Sequence, residues 1–317
     1  MMQKAGSVCM IGIDVGGANL KVADGEGIHL HYCPLWEGAS LRTILSQYAG
    51  DEAAVVMSGE EADSFATKQR GIEYIVREVR QVFPKARFYG IDGKFHDNPV
   101  PELSAANWLA SADFLREEYP DAVLVDMGST TTDIIPLGLF EELRGMSDLA
   151  RLGEGYLVYT GLLRTPVPAI LGSADVNGKK TLLASERFAI TADVHLVLGH
   201  ITEEIYTVPA PDGGAKTVQG ALRRLARHVC ADLEEIGTGA AVSIAGQAWE
   251  RQKALIEENI TRTVSRSGAS TLIFAGIGSG LLSRSFGGID LARVLGPPSD
   301  ALCAYAVRGL FLRTAGY

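Results

Sequence analysis

Apolar and polar positions alternate from the start of the chain. "SVCMIGI", "NLKVA" and, after "DGEG", "IHLHYCPL" read as three strands joined by tight turns, an antiparallel meander. From Leu41 the pattern changes to helices alternating with short apolar strands: "AAVVM" from Ala53, a 3.6-residue period in "GIEYIVREVRQVF", then "RFYGID", a helix through "ELSAANWLASADFLREEY", and "AVLVDMG". The β-β-β-α-β-α order predicts a mixed sheet covered by helices.

The second half begins like the first. Aligning "IDVGGANLKVADG" with "VDMGSTTTDIIPLG" sets Asp14 against Asp126 and Gly16 against Gly128, each after an apolar strand and before a second strand. A repeat of this length is too long for a solenoid period and predicts two similar lobes, each giving one turn to a shared cleft. Further on come "TADVHLVLGH", a helix "AKTVQGALRRLARHVCADL", a long helix "GAAVSIAGQAWERQKALIEENITRTV", a strand "TLIFAGIG" and a final helix from Ser299 after "GPPSD". The expected division is residues 1–119 for lobe I and 120–298 for lobe II, with a helix over 299–317 returning to lobe I.

A chain of 317 residues with 47% apolar and 21% charged positions is long enough for two cores and ordinary for a globular protein. The net charge of −9, without a long Lys/Arg cluster, argues against nucleic acid or an anionic membrane as partner. An anionic ligand must therefore be met by local devices. Cys9, Cys33, Cys230 and Cys303 lack a C-x-x-C spacing, which predicts neither a zinc site nor a disulfide framework and points to a reduced, cytoplasmic setting. The opening "MMQKAGSVCMIGI" has too short an apolar run for a signal peptide, and no later run nears the ~20 residues of a membrane helix. A soluble, unprocessed protein is expected, with its oligomeric state left open.

The turns carry the chemistry. Gly16, Gly17 and Ala18, followed by Asn19, let a bulky anion approach the backbone, where consecutive N–H groups form an anion-binding nest. Asp14 at the strand end cannot bind phosphate but can hold Mg²⁺ or a similar divalent cation, and Lys21 adds a positive charge. The second turn repeats this logic with Asp126 as a metal-binding or catalytic carboxylate, Gly128 for close approach, and the hydroxyls of Ser129, Thr130 and Thr131 as donors to phosphate oxygens. A third cluster, "AGIGSGLL", has Gly276, Gly278 and Ser279 between a strand and a helix, a place for an anion or the sugar side of a nucleotide.

Competing motifs fail on residues. Gly12 to Gly17 has Walker A spacing but continues Ala18-Asn19 where Lys-Ser/Thr is required. "GIGSGLL" lacks the third glycine of the dinucleotide fingerprint and no βαβ unit follows it. His195 and His200 read as packing or surface histidines, Asn107-Trp108 as core, and the run Arg223 to His228 as a solvated helix face.

In this order the three glycine turns resemble the phosphate-1, phosphate-2 and adenosine motifs of the acetate and sugar kinase, heat-shock-protein-70 and actin superfamily. The implied fold is α/β, two-lobed and ribonuclease H-like, with mixed sheets, flanking helices and an interlobe cleft. "GIDVGGANLK" and "DMGSTTTDI" resemble its hydantoinase/oxoprolinase branch. "GEEADSFATKQRGIEYIV", "AANW", "LVYTGLLRTPV", "FAITADVHLVLG" and "RRLARHVCAD" add a resemblance to the family linked to tetrahydromethanopterin one-carbon metabolism, whose archaeal member serves methanofuran biosynthesis. That resemblance implies an ether-forming transferase whose small-molecule partners are a phenolic amine, tyramine or its γ-glutamyl amide, and an aminomethylfuran-methyl diphosphate. Diphosphate is a good leaving group beside a furan, so the enzyme has chiefly to neutralise it. The phenol, with a free pKa of about 10, needs a base; Asp126 is the first choice, with Asp133 and Asp193 in reserve. "GGAN" lacks the hydroxyl of the sugar-kinase-like loops, which puts an ATP role in doubt. An ATP-dependent small-molecule kinase and a non-enzymatic nucleotide-binding regulator stay open as alternatives.

Overall fold

A computed structural model describes residues 10–48 and 50–314. Cys9, the "SVC" start of the first expected strand, and the last three residues of the expected final helix lie outside the described residues.

The architecture is α/β, with two mixed sheets flanked by helices, as the pattern predicts. The first sheet holds β1 (Ile11–Val15), β2 (Asn19–Ala23), β3 (Ile28–Tyr32), β4 (Ala53–Met57), β5 (Arg87–Tyr89) and β6 (Phe95–His96), in the order β3-β2-β1-β4-β5-β6. The meander β1-β2-β3 is antiparallel, whereas β4 joins β1 in parallel. In the second sheet β7 (Ala122–Met127), β8 (Thr132–Pro136) and β9 (Leu157–Val158) repeat the meander. A two-stranded hairpin, β10 (Ser173–Val176) with β11 (Lys179–Leu182), stands apart. Parallel β12 (Thr271–Ala275) and β13 (Ile289–Asp290) complete the second sheet, ordered β13-β12-β7-β8-β9.

Strand alternation decides where the carboxylates go. Ile11, Ile13 and Val15 point into a core with Leu20, Val22, Val55 and Ile72. Gly12 and Asp14 therefore take the opposite face, and Gly12 lies so close to the final helix, Leu302–Thr314, that a Cβ there would meet the Ala304 carbonyl. In β7, Val123, Val125 and Met127 face a core formed with the long helix Thr238–Ser267. Ala122 and Leu124, and Asp126 in phase with them, take the other face.

Those two inward faces share one core. It joins Ala54 and Val56 of β4 to Leu124 and Ile273 of the second sheet through Trp108, Leu109 and Ala112 of the helix Asn107–Leu115 and through Leu302, Val307 and Leu310 of the final helix. Each large side chain buried there contributes about 1.5–3 kcal/mol, so the layer holds Asp14 and Asp126 at adjoining strand ends. Among the described residues no helix is long and apolar enough to cross a membrane.

Two long helical readings are interrupted. The stretch from Glu102 is a 3₁₀ turn, Pro101–Leu103, separated from the helix Asn107–Leu115 by Ala105 in a left-handed conformation with φ +48°. The stretch from Ala215 is the helix Val218–Arg227 followed by Leu233–Ile236, with Cys230 at φ +55° between them.

Candidate active site

Each meander carries an aspartate one residue before the end of its first strand and closes its turn with the same hydrogen bond. Gly16 N–H donates to Asn19 O, and Gly128 N–H donates to Thr131 O, both at 3.0 Å. The nests expected at Gly16-Gly17 and Gly128-Ser129 are thus displaced by one residue. Among the described residues no backbone bond uses the N–H of Gly17, Ala18, Ser129, Thr130 or Thr131. These positions are half-exposed while the strands leading into them are buried. Two sets of unassigned N–H groups and three hydroxyls therefore face the accessible edge beside the carboxylates.

Cross-strand register gives each aspartate a different partner. Asp14 pairs with Lys21, and the Lys21 Nζ lies 3.6 Å from Asp14 Oδ2. Asp14 Oδ1 is buried and has no hydrogen-bond partner among the described residues. Burial raises the Asp14 pKa against the pull of Lys21. Burial works the other way on Lys21, but Asp14, Cys303 and Asp126 together hold its pKa above the ordinary lysine value. The ammonium is therefore charged and shared between the two halves.

Asp126 pairs with Asp133, like charge opposite like charge. Burial first, then Asp133, Asp14 and Asp300, push the Asp126 pKa up to about 7 against the pull of Lys21. Asp133 is held by Arg151, which also donates to Asp148 Oδ1 at 2.7 Å. The Arg151 side chain is 2% exposed and its guanidinium carbon lies 4.2 Å from the Trp108 ring centroid. Asp133 is consequently committed to a buried ion pair, whereas Asp126, half-buried, has no such cation paired to it among the described residues.

The third glycine turn stands directly behind Asp126. Gly276 has φ +76°, and a Cβ there would meet Asp126 Oδ1. Gly276 N–H donates to Ser299 O, Gly278 N–H to Met127 O and Ser279 N–H to Gly276 O. These three buried residues thus turn their donors inward and support the Asp126 strand end.

Other singled-out residues lie elsewhere. Asp193 is fully buried, accepting from Tyr206 Oη at 3.0 Å and Arg224 Nε at 2.8 Å. Arg224 and His228 are buried, so only part of the Arg223 to His228 run is a solvated face, a correction caused by the Asp193 pairing. His195 is buried, bonded to His200 at 3.0 Å and to Gln252 at 3.0 Å, with its pKa lowered to about 3 by burial. Trp108 is core, as expected.

Several neighbours of the site were not singled out from the residues alone. Arg151, Asp300 and Cys303 carry no local signal, because strand pairing and the final helix bring them in. Arg164 does sit in a quoted stretch, "LVYTGLLRTPV", directly after two turn-contacting leucines, Leu162 and Leu163.

Comparison with known proteins decides the family. The hydantoinase/oxoprolinase family model matches residues 51–308. The chain belongs to the hydantoinase/oxoprolinase family. A curated relative from Methanocaldococcus jannaschii, named (4-{4-[2-(γ-L-glutamylamino)ethyl]phenoxymethyl}furan-2-yl)methanamine synthase, is 39% identical over 289 residues, covering 87% of this chain and 88% of the relative. The relative of the same name from Methanococcus vannielii is 36% identical over 172 residues, covering 54% and 78%. Both are synthases, and this member of the family is likewise an enzyme. Among solved structures, a glucokinase of the ROK family from Streptomyces griseus has 13% identity and a TM-score of 0.44, covering 95% of this chain and 98% of its own. Nucleotide-free acetone carboxylase has 10% identity and a TM-score of 0.49, covering 94% and 70%.

Proposed function

We propose that this enzyme joins the phenol of tyramine or γ-glutamyltyramine to the methyl carbon of an aminomethylfuran-methyl diphosphate, releasing diphosphate, as a step of methanofuran biosynthesis. The observation that carries the reading is the identity shared with the Methanocaldococcus jannaschii synthase over most of both chains. That relative's name describes a phenoxymethyl-furan, whose ether bond is the one formed here.

The site's chemistry supports such a transfer. The phenolic O–H gives its proton to the Asp126 carboxylate, whose pKa near 7 suits a base at neutral pH. The phenolic oxygen then bonds to the furan-methyl carbon as the carbon–oxygen bond to diphosphate breaks. Charge gathers on the departing diphosphate, and the N–H groups of Gly17, Ala18, Ser129 and Thr130, the Ser129, Thr130 and Thr131 hydroxyls and the Lys21 ammonium meet it. The orphaned Oδ1 of Asp14 fits a hard divalent cation, and Mg²⁺ bound there with Asp126 nearby would neutralise further diphosphate charge. In this reading the third turn supports Asp126, and ATP has no task because the leaving group arrives activated.

The test is a mixture of the furan diphosphate, tyramine or γ-glutamyltyramine, and Mg²⁺ without nucleotide. Ether and diphosphate should form in equal amounts. Product that appears only with ATP, alongside ADP, would replace this reading with a kinase; ATP binding without turnover in either mixture would point to a regulator.

A further inference from the structure

Beyond each meander the chain folds back over its turn in the same way. After β3, Cys33 N–H donates to Ala18 O at 2.9 Å and Leu35 N–H to Gly17 O at 3.0 Å. After β9, Leu162 N–H donates to Gly128 O at 2.9 Å, and Leu163 and Arg164 N–H groups donate to Ser129 O at 3.0 and 2.9 Å. Gly161 permits this because a Cβ there would stand 2.6 Å from the Thr130 backbone. Leu35 and Leu163 occupy matching places, and so do the next residues, Trp36 and Arg164. These two meet across the halves, the Arg164 guanidinium carbon lying 5.1 Å from the Trp36 ring centroid.

Arg164 is half-buried. Its Nη1 is buried and has no hydrogen-bond partner among the described residues. No described carboxylate lies within ion-pair distance of Arg164 or Arg187, although Arg164 feels the charges of Arg187 and Glu37. Burial and then Arg187 work against its positive charge, with Tyr32, Tyr159 and Glu37 as counterweights. Tyr32 and Tyr159, 49% and 68% exposed, leave the place open to a ligand. In a chain of net charge −9, a guanidinium that no described carboxylate pairs, tethered to a turn whose N–H groups no described backbone carbonyl uses, is a specific feature.

We propose that Arg164, backed by Arg187 and steadied on Trp36, binds the leaving diphosphate over the second turn. The inference rests on the diphosphate reading above and adds the residues that complete its anion site. A planar guanidinium can take two phosphate oxygens at once, and stacking on an indole fixes its plane without consuming its donors. Trp36 comes from the first half and Arg164 from the second, so diphosphate binding also ties the two halves together.

The test is calorimetric titration of the full chain with inorganic diphosphate and Mg²⁺, followed by steady-state kinetics. Arg164→Ala should weaken diphosphate binding about 10- to 100-fold, raise KM for the furan diphosphate by a similar factor and leave KM for tyramine unchanged. Arg164→Lys should recover part of the binding, since it keeps charge but loses the fork. Arg187→Ala, at an exposed position, should weaken binding by a smaller factor. Wild-type affinity in folded Arg164→Ala would overturn the inference while leaving the diphosphate reading intact. A KM increase confined to γ-glutamyltyramine would overturn it in favour of an acceptor carboxylate. Failure of the wild-type chain to bind diphosphate at all would remove the underlying reading too.

Discussion

The two aspartate turns share one backbone plan and differ both in their turn side chains, Gly17-Ala18-Asn19 against Ser129-Thr130-Thr131, and in the residue that faces the aspartate across the strands. Asp14 and Asp126 stand one residue before the ends of equivalent strands, and Gly16 and Gly128 close equivalent turns. The residue opposite is Lys21 in the first turn and Asp133 in the second. One turn therefore carries a paired carboxylate and a usable cation. Its counterpart carries a carboxylate pressed by like charge, whose pKa burial and neighbours push up to about 7. On a duplicated scaffold, the residue at one register position thus gives two like aspartates opposite electrostatic surroundings.

That contrast is tested most severely at Asp126. Asp126→Asn should lower turnover by about 10²- to 10⁴-fold if the carboxylate is the base, yet it should not destabilise the fold. The sign follows from linkage: a folded-state pKa above the unfolded value means the native state binds more protons between about pH 4 and 7, so this residue's contribution to stability falls as pH rises through that window. Removing the charge should therefore raise the midpoint of thermal unfolding at pH 8. A large loss of stability with retained turnover would reverse the assignment.

Arg151 is the compensation on the anionic side. Arg151→Met should cost about 3–5 kcal/mol in urea unfolding, because Asp133 and Asp148 would be left without their buried counter-ion. A change under 1 kcal/mol would mean that Asp133 is already neutral.

Smaller effects separate the two turns further. Lys21→Gln should weaken diphosphate binding about tenfold and move the acidic limb of the kcat profile, expected near pH 7, toward alkaline pH, since Lys21 lowers the Asp126 pKa. Asp133→Asn should move the same limb toward acid, with kcat above the limb changed only a few-fold. Identical shifts in both variants would show that the limb belongs to another group.

Much of the frame is legible in residue order. The strands at Asn19–Ala23 and Ala53–Met57 coincide with apolar runs bounded by turn residues. The repeat brings Asp14 and Asp126 forward because aspartate after a buried strand, followed by glycine, is chemically expensive twice over. The hairpin of Ser173–Val176 and Lys179–Leu182, absent from the sequence reading, turns at "VNGK", where Asn177 and Gly178 have φ +54° and +82°. Its strands are mostly half-buried or exposed and lack a sustained apolar face, so alternation does not predict them.

Local order carries the periodicities, the turns and the choice of aspartate, because those depend on neighbours a few residues apart. Proton affinity does not. Asp14 and Asp126 look alike as strings, and only register sets Lys21 opposite one and Asp133 opposite the other, with Arg151 arriving from a later helix. The third glycine turn shows the same limit: a strand-glycine-helix pattern reads as a ligand loop, but in space its N–H groups point inward and Gly276 makes room for Asp126. Arg164 and Trp36 are far apart in the chain and meet only because both halves fold back over their turns. Charge, desolvation and accessible donors are properties of what surrounds a residue, and packing supplies those surroundings from distant parts of the chain.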